Sequence, residues 1–87
     1  MEHQKELVDM IHRYCRTSQK VYPMSSYGLK HIFESLLECY VSNDDFKVAM
    51  MLAGFNPSYR YAANHYYKIK LLDVDELIKE GVIYGSF

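Results

Sequence analysis

Two groups of residues in this chain have types and spacings that could do chemistry. The first lies between Phe46 and Leu72, where Lys47, Arg60, Lys68 and Lys70 occur without a single carboxylate. Within it, Arg60, Tyr61, Asn64, His65, Tyr66, Lys68 and Lys70 interleave cations, amides and aromatic rings. Such a set suits phosphate contacts, stacking on single-stranded bases, or the Tyr-and-Arg anchors of protein interfaces. The same alternation is also what any half-buried strand shows, with its tyrosines as core and edge packing. The second group is His12 with Cys15, three residues apart on one helix face, with His31, Cys39 and His65 elsewhere. Two ligands fall short of the four that a structural zinc site takes. The chain has no CxxC, no HExxH and no Gly-rich phosphate loop. Cys15 falls on an apolar stripe, where a thiol is an inert small hydrophobe. The carboxylates Asp44 and Asp45, like Asp73 with Glu76, are accounted for by helix capping. The expectation is a binding protein, not an enzyme, with no metal and no cofactor.

The composition sets the frame for that binding. Eighty-seven residues make one domain, taken as 1–87, near the lower size for an unstapled core. The apolar fraction of 49% and charged fraction of 24% are those of a folded chain. A formal net charge of −1 excludes a strongly basic nucleic-acid protein and an acidic mimic, so any electrostatic footprint must be local. Two cysteines are too few for a disulfide framework and read as reduced thiols. No apolar run approaches the ~18 residues of a membrane span, and the charged start MEHQKE is no signal peptide. A cytoplasmic protein is expected. Nine tyrosines and no tryptophan stand out, because Tyr serves partly wet positions, binding faces among them.

Periodicity gives the elements that must hold these residues. Leu7, Val8, Ile11, Tyr14 and Cys15 form the stripe of a first helix over Glu2–Cys15. The stretch Arg16–Pro23 loses that period and reads as a loop, tacked to the core by Val21 and Tyr22. Leu29, Ile32, Phe33, Leu36, Leu37 and Tyr40 mark a second helix over Ser26–Cys39, capped by Ser25 or Ser26. Ser42 with Asp45 caps a third, whose inner stripe is Phe46, Ala49, Met50 and Ala53, and which Gly54 and Pro57 end. Tyr67, Ile69 and Leu71 alternate with polar residues as a strand, with Tyr59–Tyr61 as its hairpin partner across a turn at Ala62–His65. A short helix from Asp73 to Gly81 and an extended Val82–Tyr84 follow. Three helices, a β-hairpin and a short C-terminal helix make a mostly helical α+β chain in winged-helix order, with the third helix as reader and the hairpin as wing.

The segments SSYGLKHIFE, YVSNDDFKVAMMLAGFNP and NHYYKIK carry a resemblance that covers about half the chain. The matching stretches are Tyr27–Glu34, Tyr40–Phe55 and Asn64–Lys70. They resemble short, largely uncharacterised proteins of phages and mobile elements of Gram-positive bacteria. The shared pattern is a YGLKH helix, a Y-V-S/T-N linker, an F-K-x-A-M-x-x-A-G-F/Y helix and an aromatic strand after an Asn. The first helix and the tail from Asp73 lie outside it. The resemblance implies two roles known among such elements: DNA-binding regulators, and inhibitors of host defence of the anti-CRISPR kind.

Each role uses named residues. For DNA, the outer face of the third helix presents Asn43, Asp44, Lys47 and Met51. Asn43 would read adenine and Lys47 guanine or phosphate, with Arg60, Asn64, His65, Lys68 and Lys70 on the phosphates. Asp44 and Asp45 oppose this, since they sit at the helix end nearest a phosphate. For a host defence protein, Tyr59, Tyr61, Tyr66 and Tyr67, crowded on one hairpin beside Arg60, would form the contact. A homodimer through the first helix or the apolar tail Val82–Phe87 would suit a regulator that spans two half-sites.

Overall fold

In the computed structural model, which describes residues 3–61 and 63–73, helix α1 spans Gln4–Tyr14 and buries Leu7 and Ile11 completely. The helix stops one residue earlier than its stripe suggests. Cys15 already has extended backbone, and Cys15–Thr17 form strand β1 where the sequence reads as the start of a loop. The apolar stripe continues through Cys15 because that thiol is buried from a strand as well as it would be from a helix.

Helix α2 runs over Ser26–Leu37 and buries Leu29, Ile32 and Phe33. It ends two residues short of the expected Cys39, in a left-handed Glu38 at φ 57°. Tyr40, which completes the helical spacing in sequence, therefore leaves the stripe and stands 76% exposed. Ser25 is the N-cap residue, but neither serine hydroxyl caps the helix. The Ser26 hydroxyl is buried and instead accepts the His65 amide at 3.1 Å.

Helix α3 covers Asn43–Leu52, and its ends follow the sequence closely. The Ser42 hydroxyl accepts the Asp45 amide at 3.0 Å, which satisfies one of the orphan donors of the first turn. At the other end the Phe55 amide donates to Met50 and the Gly54 amide to Met51, the paired bonds of a Schellman motif. That motif needs a left-handed residue, and Gly54 supplies it at φ 93°. Phe46, Ala49 and Met50 face inward, with Phe33 and Phe46 ring centroids 5.5 Å apart.

Two antiparallel pairs complete the α+β fold, in which about half of the described residues are helical. Strands β2 (Tyr59–Tyr61) and β3 (Asn64–Tyr66) pair with each other, placing Tyr59 opposite Tyr66, Arg60 opposite His65 and Tyr61 opposite Asn64. Strand β4 (Ile69–Leu71) pairs with β1, with Arg16 opposite Lys70. The expected hairpin is thus corrected. Strand β3 already begins at Asn64, within the stretch expected as turn, and Ile69–Leu71 leaves the hairpin to pair with β1. Alternation reports a buried face, here Tyr67, Ile69 and Leu71, but not which strand lies alongside. The loop after β1 returns to the same place, where the Tyr22 amide donates to the Tyr67 carbonyl at 2.9 Å and Tyr22 is buried. The segments expected as a last helix and strand after Asp73 lie outside the described residues.

Candidate functional site: the groove between α3 and the β2–β3 hairpin

The α2–α3 link fixes how α3 presents itself. Glu34 accepts the Val41 amide at 2.9 Å and the Lys30 ammonium at 3.1 Å, with the His31 ring nitrogen at 3.0 Å. Burial alone would raise the Glu34 carboxyl; the Val41 amide, Lys30 and His31 outweigh it and hold it below its ordinary 4.5. Lys30 itself is buried, and its ammonium lies 5.2 Å from the Tyr27 ring centre and 5.1 Å from that of Tyr40. Such placement over ring faces offsets part of the cost of burying a cation.

With α3 set, its outer face meets the hairpin. The Asn43 side-chain amide donates to the Ala63 carbonyl at 3.1 Å and to the Asn64 side-chain oxygen at 3.2 Å. The Lys47 ammonium donates to the same Ala63 carbonyl at 2.8 Å and pairs with Asp44 at 3.1 Å. These bonds hold the hairpin turn against the first turns of α3. The two side chains expected to read bases are therefore spent on the protein's own backbone. The Asn43 side-chain oxygen stays buried without a hydrogen-bond partner.

Beyond that clasp the helix and hairpin diverge, leaving a groove of about 280 Å³. Val48, Met51, Phe55 and Pro57 give it apolar walls, Lys47, Arg60 and His65 its cationic side, and Tyr67 lines it as well. Met51 is 58% exposed at its rim, with Leu52 and Tyr59 also open to solvent. Four of the residues singled out in sequence, Lys47, Met51, Arg60 and His65, thus converge, and Asn43 and Asn64 stand at the clasp. Tyr66 is half-buried opposite Tyr59, and Tyr61 holds the register position opposite Asn64. Lys68 and Lys70 do not join them. They are exposed on the segment that pairs with β1, beside Arg16.

The electrostatics follow from this crowding. Burial, then the nearby Lys47 and Arg60, lower His65 from its ordinary 6.5. Burial pushes the Tyr67 phenol up to about 12, against a weaker pull from Arg60. Val48, Phe55 and Pro57 are site residues that the sequence reading missed, whereas Tyr67 is one of the tyrosines it places on a protein-contact face. One signal was present, since Val48 and Met51 are apolar residues three apart and outside the helix's buried stripe. Among the described residues, no three His, Cys, Asp or Glu side chains gather around a point where a metal ion could sit. Burial pushes the Cys15 thiol up to about 12, which leaves it a poor nucleophile, with Arg16 only partly offsetting the effect. No protein-family model, no curated protein and no solved structure matches the chain.

Proposed function

We propose that this chain is a non-enzymatic binding protein that receives a segment of a protein partner in the groove between α3 and the hairpin, as an occluding inhibitor would. The observation that carries this reading is the combination of apolar walls with an exposed Met51, on the face of α3 whose polar readers are already engaged. The volume falls just below the ~300–1,000 Å³ of small-molecule sites, and suits a few side chains of a partner. DNA reading by a helix needs free polar side chains projecting from a convex face. Here Asn43 and Lys47 are turned to the hairpin, and the Asp44 side chain is 88% exposed beside them.

A second reading rests on a different surface. Lys70 on β4 and Lys68 just before it are exposed near Arg16 of β1, whose guanidinium also donates to the His12 and Cys15 carbonyls, and a winged-helix-type regulator would use such cations on phosphates. Placing negative charge on each surface separates the two. Met51→Asp should abolish capture of a protein partner and leave DNA retention unchanged. Lys68→Glu with Lys70→Glu should do the opposite if DNA is the ligand. Partner capture that survives Met51→Asp would overturn the groove reading.

A further inference from the structure

We propose that the groove contains a carboxylate-binding subsite formed by Arg60 and the Tyr67 hydroxyl, which selects a partner segment carrying Asp or Glu beside apolar residues. The inference rests on the protein-partner reading and names the chemistry of that partner.

Tyr67 is only 1% exposed, yet its hydroxyl has no hydrogen-bond partner. Buried polar groups are almost always satisfied, and leaving one without a partner is costly. Tyr67 lines the groove and its hydroxyl lacks an acceptor; the oxygen is closed to water in the free protein, so an entering acceptor reaches it by displacing what covers it. Its surroundings specify which acceptor. Arg60 and His65 face each other across the hairpin, and the His65 ring centre lies 6.4 Å from that of Tyr67. Arg60 and Lys47 line the same groove. Among the described residues no carboxylate pairs with Arg60, whereas Lys47 is matched by Asp44. The cationic side of the groove therefore carries an excess of one positive charge, that of Arg60, with a donor hydroxyl nearby. One carboxylate would satisfy both, and charge-assisted bonds of this kind are the strong ones. A polynucleotide fits less well. Its further phosphates would meet the exposed Asp44 and the wall of Val48, Met51, Phe55 and Pro57. Those apolar walls instead suit the neighbours of an acidic residue in a peptide.

The test is a nuclear magnetic resonance titration of the isotopically labelled full chain with three probes. These are a terminally blocked tripeptide with glutamate between two leucines, its glutamine counterpart, and a poly-dT oligonucleotide. The glutamate peptide should shift the signals of Arg60, His65 and Tyr67, and the glutamine peptide should bind about tenfold more weakly. Arg60→Gln should remove that preference. Tyr67→Phe should reduce it several-fold, with no loss of fold, because the hydroxyl it removes bonds to nothing in the free protein. Equal affinity for the two peptides at the groove would overturn the carboxylate subsite and leave the groove reading standing. No shift at the groove with either peptide would overturn both. Displacement of the glutamate peptide by the oligonucleotide would overturn the subsite in favour of phosphate.

Discussion

The two strand pairs of this small protein are equal in length and opposite in use. Strands β1 and β4 join residues more than fifty positions apart and turn Cys15, Ile69 and Leu71 into the core. Strands β2 and β3 are neighbours in the chain, and β3 is only half-buried along its length. Polar bonds keep the hairpin in place: Asn43 and Lys47 on the Ala63 carbonyl, Asn43 on the Asn64 side chain, and the Ser26 hydroxyl on the His65 amide. A pair that buries apolar surface closes the fold. A pair held by a few polar bonds leaves a groove beside it open. The difference teaches that exposure of a Tyr-rich ribbon cannot be assigned to it as a whole: Tyr59 is open and Tyr67 is closed, although both lie in the same aromatic stretch.

The sharpest break of this comparison would come from truncation. Leu71→Ala removes a buried side chain from β4 and should cost about 2–4 kcal/mol in denaturant unfolding, whereas Tyr59→Ala on β2 should stay within about 0.5 kcal/mol. Equal losses would mean that the hairpin is as much a part of the core as the β1–β4 pair.

Next in size is the link that orients α3 toward the hairpin. Glu34→Gln should cost about 1–2 kcal/mol, because it weakens the bonds to Val41 and leaves the buried Lys30 without its counter-charge. The pH dependence has a definite sign. A carboxyl held below its ordinary 4.5 adds stability that is present above that value and lost as pH falls through the folded value. The wild type should therefore lose stability on acidification below about pH 4.5, and Glu34→Gln should flatten that part of the curve.

Smaller still is the clasp. Asn43→Ala should lower global stability by about 1 kcal/mol or less. Amide exchange should quicken across 59–66 and stay unchanged across 15–17 and 69–71. The smallest effect is electrostatic. Arg60→Gln removes one of the cations that lower His65, so the imidazole should titrate at higher pH than in the wild type. No movement would place Arg60 away from the groove.

How much of this was legible in the sequence depends on whether the signal is local. The α3 boundaries were, since Ser42, Asp45 and Gly54 act within a few residues of themselves. So was the buried set Tyr67, Ile69 and Leu71, because period-2 alternation needs no partner to be read. The partner of that strand was not legible. Pairing with Cys15–Thr17 is a long-range choice, and a three-residue strand that continues a helix leaves no period of its own. The candidate site was legible in part. Lys47, Met51, Arg60 and His65 were named from type and position, and they converge. Lys68 and Lys70 were grouped with them because they are adjacent in sequence. The turn between β3 and β4 carries them to the other strand pair. The unpartnered Tyr67 hydroxyl was not legible, because an orphaned hydroxyl is a property of packing.

The most direct measurement of the central claim is site-specific photo-crosslinking in cells that express the chain, with the reactive side chain at Met51 or at Lys70. The groove reading predicts a discrete protein adduct from Met51, competed away by excess unmodified chain, and none from Lys70. Adducts from Lys70 to nucleic acid, with Met51 silent, would contradict it.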